Sequence, residues 1–293
     1  MKKILLPFMV PALVGISAAG LSACSSDQPA PADTAQAGST ANFDSVYAGI
    51  TAEDISGPLQ TLASDEFEGR LPTSPGEQKT LDFLVSEFKA AGLAPGNGDS
   101  YLQPVDLMEI TADPDMTMTI GDNTFHYKED MVAGSKREQS VIDLKDSELV
   151  FVGYGVNAPE YDWNDYEGLD VEGKTVVILV NDPGFENPQS GKFQGTTMTY
   201  YGRWSYKYES AARQGAVGAI VIHTTPSAGY PWQVVQTSWT GEHFQLPAGD
   251  EPRLLVEAWV TESAARKLVE STGLVLDALI EFSKSRDFEP ISL

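Results

Sequence analysis

Two short apolar runs constrain the fold of this chain more than any other feature. Lys174 to Asn181 reads KTVVILVN, and Val217 to His223 reads VGAIVIH. Runs so rich in β-branched residues are typical of strands that are buried on both faces of a sheet. The intervening RWSYKYESAARQG has the composition of a helix and ends at Gly215. Strand, helix and strand predict a parallel, right-handed crossover unit, and therefore an α/β protein.

Helices are predicted before and after this unit. The stretch from Ser74 to Glu77 has the form of a capping box, with proline at the first helical position. An apolar face at helical spacing follows, and Gly92 predicts the end of the helix. An earlier helix is predicted from about Asp54, although Pro58 leaves its first residue open, since proline is tolerated in the first turn. Thr261 is predicted to cap a later helix, and Leu274 begins a last one.

The region between these helices has the pattern of strands. Tyr101 to Ile110 is predicted to be a strand, and Met116, Met118 and Ile120 alternate with threonine as in a half-buried strand. Ser147 to Val156 is a further short apolar run. This order of elements again favours a mixed α/β fold.

The amino terminus has the pattern of an export signal. Lys2 and Lys3 precede an apolar run, and the run is followed by LSAC, which ends at Cys24. This ending resembles a bacterial lipobox, which implies lipidation of Cys24 and a place in the outer membrane or periplasm. The stretch after it is poor in large apolar residues, so it is predicted to be a flexible tether.

The charge of the chain excludes some classes of partner. Asp and Glu number 42 against 19 Lys and Arg, a formal net charge of −23. Phosphate binding needs clustered cations, so nucleic acid is not an expected partner. Cys24 is the only cysteine, which rules out an internal disulfide and a cysteine-rich metal site.

The stretch from Leu62 to Leu93 resembles the opening of a zinc-exopeptidase family that includes aminopeptidases, glutamate carboxypeptidase and the non-catalytic transferrin receptor. The matching features are Glu68-Gly69-Arg70, the helix start at Gly76-Glu77 and the Ala91-Gly92-Leu93 end. In that family, a strand similar to Tyr101 to Ile110 typically follows. The resemblance implies hydrolysis of N-terminal residues from peptides by two zinc ions.

The second half of the chain resembles the protease-associated domain that is inserted in such enzymes. Its features occur in the expected order, and they are Tyr154, Gly155, Tyr166, Gly168, Asp170, Gly173-Lys174, Asn181-Asp182-Pro183 and the Ala211 to Gly218 junction. The two resemblances together cover about residues 43–293.

The expected fold class is α/β, in five segments. Residues 1–23 are predicted to be a lipoprotein-type signal peptide and 24–42 a flexible tether. Residues 43–110 are expected to form an incomplete zinc-exopeptidase α/β/α domain, with helices and the first strand. Residues 111–285 are expected to form a β-rich protease-associated domain with a βαβ unit, and 286–293 to begin the return to the metal-binding part.

The zinc ligands of this family are not found in the sequence. The family uses a His-x-Asp pair and a Glu-Glu pair, in a segment after the protease-associated domain. His126, His223 and His243 are the only histidines, and none has aspartate two residues on. We therefore assign no catalytic and no metal residue, and expect the chain alone to bind no zinc and to be inactive.

Five residues are candidates for contact with a peptide substrate. Tyrosine and tryptophan are favoured at recognition sites, and His243 lies in a Gly/Pro-rich stretch; the candidates are Tyr200, Tyr201, Trp204, Trp239 and His243. Packing over the sheet is the alternative role of these aromatic residues. The alternative function is that of a non-catalytic lipoprotein that binds peptides or a protein partner.

Overall fold

The computed structural model describes residues 43–293, in two compact units with a boundary between Asp65 and Glu66. The described part of the first unit contains α1 (Phe43–Ala48) and α2 (Ala52–Leu62). The predicted signal peptide, the tether and Cys24 lie outside the described residues. Within residues 43–293, no helix has the length and apolar character needed to cross a membrane.

The second unit contains both helices and strands. Its helices are α3 (Pro75–Ala90), α4 (Pro183–Glu186), α5 (Trp204–Arg213), α6 (Thr225–Ala228), α7 (Trp232–Ser238), α8 (Glu262–Glu270) and α9 (Leu276–Phe282). Its strands are β1 (Met108–Thr111), β2 (Thr117–Ile120), β3 (Asn123–His126), β4 (Met131–Gly134), β5 (Leu149–Phe151), β6 (Asn157–Ala158), β7 (Trp163–Asn164), β8 (Thr175–Leu179), β9 (Gly218–His223), β10 (Glu242–Gln245), β11 (Val256–Thr261) and β12 (Ile291–Ser292).

A mixed sheet of six strands forms the centre of the second unit. Its order is β12-β5-β8-β9-β11-β4. The four inner strands β5, β8, β9 and β11 are parallel, whereas β4 and β12 run antiparallel to their neighbours at the two edges. The expected α/β class is therefore confirmed at this level.

The strand–helix–strand unit that the two apolar runs predict is present. β8 and β9 are parallel, with Thr175 opposite Gly218, and every residue of both strands is buried. α5 connects them and packs on β9. It ends as predicted, because Gly215 has a φ of +91° and its N–H donates to the carbonyl of Ala212 at 3.0 Å.

The predicted strand from Tyr101 to Ile110 is wrong over most of its length. Only Met108–Thr111 forms a strand, and it pairs antiparallel with β10, with Ile110 opposite His243. Pro104 lies in the part that is not a strand, and proline has no N–H to donate to a ladder.

The predicted helix from Ser74 is confirmed as α3, but its cap differs from the prediction. The Ser74 hydroxyl accepts from the N–H of Glu77 at 3.3 Å, as in a capping box. The Glu77 carboxylate, however, accepts from the N–H of Thr73 at 2.6 Å rather than from that of Ser74. Gly92 has a φ of +72° and ends the helix where predicted.

Gly76 is the one residue of α3 that is buried, and it lies against the preceding turn. A Cβ atom at this position would lie 2.2 Å from the carbonyl oxygen of Phe67. That turn contains Glu68, Gly69 and Arg70, all with positive φ. The close approach therefore requires glycine at position 76. Gly76-Glu77 and the turn Glu68-Gly69-Arg70 are two of the features on which the sequence resemblance is based, and the structure brings them into contact.

α2 begins earlier than predicted and includes Pro58. Thr51 caps it, because the Thr51 hydroxyl accepts from the N–H of Asp54 at 3.2 Å while the Asp54 carboxylate accepts from the N–H of Thr51 at 2.8 Å. This complete capping box sets the start of the helix at Ala52. Pro58 consequently lies inside the helix rather than in its first turn.

Candidate functional site

The candidate site is a group of aromatic side chains around the start of α5, which we call the aromatic surface and define as Tyr200, Tyr201, Trp204 and Trp239. Tyr200 and Tyr201 lie in a 3₁₀ turn directly before α5, Trp204 is the first residue of α5, and Trp239 follows α7. Tyr200 is 54% and Trp204 39% exposed, so the surface reaches solvent.

Two tryptophans that are far apart in sequence meet in this surface. The ring centroids of Trp204 and Trp239 are 5.9 Å apart, and both rings contact Tyr208, at 6.1 and 5.9 Å. Tyr208 is fully buried, and its hydroxyl donates to the carbonyl of Ala258 in β11 at 2.8 Å. The exposed Trp204 and the half-buried Trp239 therefore both pack on a side chain that is fixed to the central sheet.

Tyr200 and Tyr201 are oriented by carboxylates. The Tyr200 hydroxyl donates to Glu209 at 2.6 Å and the Tyr201 hydroxyl to Glu160 at 2.5 Å, and both rings contact Tyr206. The hydrogen bond to Glu160 raises the pKa of Tyr201 to about 12, with burial adding to the effect. Both phenols are thus neutral donors at ordinary pH, and their rings are held in place.

The structure does not bring His243 into a ring contact with the aromatic surface in the described part of the chain. It lies in β10, and its Nε2 atom is buried without a hydrogen-bond partner among the described residues. The Nε2 atom of Gln245, two residues further along the same strand, is likewise buried without a hydrogen-bond partner among the described residues. Side chains two residues apart lie on one face of a strand, so both polar groups share a face.

A buried ammonium group that the sequence analysis did not single out lies beneath the aromatic surface. Lys207 of α5 is completely buried, and its Nζ atom donates to three carbonyls, of Tyr154 at 2.6 Å, Asn181 at 2.7 Å and Tyr201 at 2.7 Å. These carbonyls belong to the segments that follow β5 and β8 and to the turn before α5. One side chain therefore joins three loops.

The number of acceptors around Lys207 identifies its charge state. An ammonium group has three N–H donors whereas a neutral amine has two, so three short bonds to carbonyls require the ammonium form. Burial lowers the pKa of Lys207, and the charges of Asp165 and Asp182 oppose that shift. A buried cation is expected to be paired in this way.

Asp182 and Asp165 are themselves saturated with hydrogen bonds. The Asp182 carboxylate accepts from the N–H of Gly184 at 3.1 Å and from the N–H and hydroxyl of Thr199, at 3.1 and 2.6 Å. Asp165 accepts from Val156 N–H at 2.9 Å and from Trp163 Nε1 at 2.8 Å. These hydrogen bonds tie together the segments around Val156, Trp163, Gly184 and Thr199, so the cluster positions loops.

His223, the last residue of β9, is in contact with three aromatic rings. Its ring contacts Tyr230, Trp232 and Trp259, and its Nε2 atom donates to the carbonyl of Tyr230 at 3.0 Å. Burial lowers the pKa of His223, and the hydrogen bond to Tyr230 opposes the shift. The arrangement is that of a neutral, satisfied histidine at the end of a buried strand.

We expect His223 to make stability depend on pH below neutrality. Because the folded-state pKa lies below the ordinary value of about 6.5, the unfolded state binds the proton more readily, and stability falls as the pH falls through that value. Urea unfolding of the wild type between pH 8 and pH 5 should show a larger loss than that of His223→Gln. His126→Gln, at an exposed position of β3, should follow the wild type; parallel curves for His223→Gln and the wild type would contradict this expectation.

The site contains no constellation of metal ligands within residues 43–293, since no group of three or more His, Cys, Asp or Glu side chains is placed to hold an ion. The three histidines lie in β3, β9 and β10. The residues present therefore do not fit the two zinc ions that the family resemblance implies, and no hydrolytic step is derived through them.

Comparisons with protein-family models, with curated proteins and with solved structures found no match to this chain.

Proposed function

We propose that this chain is the amino-terminal portion of an exported, lipid-anchored zinc metallo-aminopeptidase, and that its own role is peptide recognition. The metal-binding residues of such an enzyme would lie in a segment beyond residues 1–293. The two zinc ions would activate a water molecule for attack on the peptide carbonyl. No residue of this chain is assigned to that step.

The observation that carries this proposal is the exposure of apolar side chains on α2 and, separately, on α3, within the described residues 43–293. In α2, Ile55 is 63% and Leu59 62% exposed, and in α3 Phe88 is 43% exposed. Each of these residues lies on the apolar face of an amphipathic helix. Exposed apolar patches of this kind mark surfaces that another segment or protein covers. We propose that the metal-binding part of the peptidase domain covers them.

The sequence resemblance supports the same proposal. Its helix begins at Pro75 after Ser74 and ends at Gly92, and its glycine at position 76 lies against the turn of Glu68 to Arg70. These are local features whose residues the helix geometry requires. They account for the residues of this segment that resemble the opening of the family.

Two measurements test the peptidase proposal. The gene sequence downstream of the Leu293 codon should encode a His-x-Asp pair and a Glu-Glu pair, and absence of that set would overturn the proposal. The purified chain incubated with zinc and an amino acid p-nitroanilide should release no product. Chelator-sensitive release would contradict the placement of the metal site outside these residues.

The exposed aromatic surface favours a second candidate, a non-catalytic peptide-binding lipoprotein. Truncation of a central tryptophan at a recognition site costs about 2 kcal/mol or more, which corresponds to about a 30-fold or greater loss of affinity. Trp204→Ala should therefore retain far less of a random hexapeptide library, measured by mass spectrometry of bound peptides. Tyr47→Ala removes an exposed ring of the first unit and should retain as much as the wild type. Equal retention by Trp204→Ala would contradict recognition at this surface.

A further inference from the structure

A ribbon of two strands, β1 and β10, lies outside the central six-stranded sheet of the second unit. Each strand of such a ribbon forms its ladder on one side only, so every second residue of β1 directs its N–H and C=O away from β10. Among residues 43–293, no backbone hydrogen bond joins residues 103–112 to any segment other than β10. β1 therefore has an open edge with which another extended chain can pair.

The open edge of β1 is accessible to solvent. Residues 102–107, which lead into β1, are exposed throughout, and Val105 is 59% and Leu107 41% exposed. Residues 246–253, which follow β10, are instead held by hydrogen bonds to residues 136–138. The edge of β1 is therefore the better placed of the two outer edges for pairing with another chain.

The two faces of the ribbon differ in their side chains. Residues that are directly opposite in an antiparallel pair lie on one face, and the faces alternate along each strand. One face has Met108 and Ile110 of β1, which are half-buried. The other face has Glu109 of β1 and Glu242 of β10, which are diagonal neighbours and are both exposed. A chain that pairs with β1 therefore continues an apolar face on one side and an acidic face on the other.

The carboxylates of the acidic face are not matched by cations. Residues 90–127 contain six Asp and Glu and residues 214–252 contain three, and neither stretch contains Lys or Arg. Within the described part of the chain, neither Glu109 nor Glu242 forms an ion pair. Neighbouring charges of one sign attract a ligand of the opposite sign. Charge complementarity therefore selects a cationic chain, and it disfavours a second copy of this protein, which would bring its own Glu109 to the edge.

We propose that the open edge of β1 binds an extended peptide in which cationic and apolar residues alternate. The peptide backbone pairs with β1 as a third strand. Its Lys or Arg side chains lie on the face of Glu109 and Glu242, and its apolar side chains lie on the face of Met108 and Ile110. A two-stranded ribbon is only marginally stable by itself, so a third strand also stabilises it. The site does not rest on the peptidase proposal, because its own edge and charges define it.

The test is an NMR titration of the full chain with the peptide acetyl-Lys-Val-Lys-Val-Lys-Val-amide, which should bind saturably and shift the amide signals of residues 108–111. Acetyl-Glu-Val-Glu-Val-Glu-Val-amide reverses the charge, and acetyl-Lys-Lys-Lys-Val-Val-Val-amide keeps the composition but not the alternation. Each control should bind about tenfold or more weakly, because its side chains do not match the two faces. Equal binding of either control, no saturable binding, or binding without shifts at residues 108–111 would overturn the proposal.

N-methylation of the same peptide tests the backbone pairing. In a strand, alternate residues direct their N–H groups to opposite sides, so the three lysines and the three valines donate to different edges. Methylation of the set that faces β1 removes the ladder donors and should weaken binding about tenfold or more, whereas methylation of the other set should be tolerated. Equal effects of the two methylations would overturn the proposal, because they would show that no ladder forms.

A pair of charge-matched double variants locates the site. Glu109→Gln with Glu242→Gln removes the acidic face and should weaken binding of the Lys-Val peptide about fivefold, as expected for two exposed ion pairs. Glu172→Gln with Glu270→Gln removes two exposed carboxylates elsewhere and should leave the affinity unchanged. Equal affinities of the two double variants would overturn the assignment. If the first double variant does not fold, the charge-reversed peptide on the wild type still decides the outcome.

Hydrogen exchange of the free chain distinguishes a peptide from a second copy as the occupant of the edge. The amides of β1 that point away from β10 should exchange fast at every protein concentration and become protected when the Lys-Val peptide is added. Protection that rises with protein concentration in the absence of peptide would assign the edge to a second copy and overturn the proposal.

Discussion

Replacement of Lys207 by methionine should lower the free energy of unfolding by about 3–5 kcal/mol. The substitution keeps the length of the side chain but removes the donors for the carbonyls of Tyr154, Asn181 and Tyr201. It also removes the positive charge near Asp165 and Asp182. Three buried acceptors would then lack a donor, and the two buried carboxylates would lose the favourable field of the ammonium group, so the penalty is large. Urea unfolding at neutral pH measures the loss.

Lys174→Met is the matched control for this experiment. Lys174 pairs with Glu148 at 3.0 Å near the surface, where ion pairs contribute about 0–1 kcal/mol. The two variants remove the same charge, so a difference between them reports burial and hydrogen bonding rather than net charge. Equal losses in both variants would show that the three carbonyl bonds of Lys207 contribute little.

Replacement of Phe193 by alanine should lower the free energy of unfolding by about 3–5 kcal/mol, the usual cost of truncating a buried aromatic ring. The ring fills the space between Tyr161, Trp163 and Tyr201. Its removal leaves a cavity and also releases a backbone with a φ of +50°. Thermal and urea unfolding both measure the effect, and the segment around Lys192 should gain hydrogen exchange.

Phe282→Ala provides the comparison, because Phe282 is 41% exposed and contacts Phe288 at a centroid distance of 5.5 Å. Loss of a partly exposed ring should cost far less than loss of the Phe193 ring. If Phe193→Ala costs no more than Phe282→Ala, the ring does not hold the strained segment in place.

The parts of the fold that are determined by residues close together in the sequence could be predicted from the sequence. The buried runs at β8 and β9 have continuous apolar residues, and α5 between them ends at a glycine, so both strands and the helix were expected. The start and end of α3 were expected for the same reason. Each of these signals lies within a few residues of the structure that it specifies.

The polar cluster could not be predicted, because its partners lie far apart in sequence. Lys207 bonds to carbonyls 53 and 26 residues before it, and nothing in the sequence YKYES distinguishes it from a solvated helical lysine. A cleft lined by Trp163, Ser190, Lys192 and Ser285 similarly joins residues that are far apart in the sequence. Only tertiary packing brings such groups together.

The aromatic surface could be predicted only in part. Trp204 and Trp239 were both candidates for recognition, but their contact at 5.9 Å depends on the path of α7 relative to α5. Tyr208, which supports both rings, belongs to the same run of aromatic residues, but its burial follows from the packing of α5 on β9 and could not be predicted from the sequence. Composition therefore indicated the residue types, and the fold determined which of them meet.

The short strand β12 has a consequence for how this protein behaves at high concentration. β12 contains only Ile291 and Ser292, and it follows Pro290, which has no N–H. Proline at a sheet edge hinders the addition of a strand from another molecule, because it offers no N–H for the ladder. Fibre growth by strand addition is consequently disfavoured at the position of Pro290.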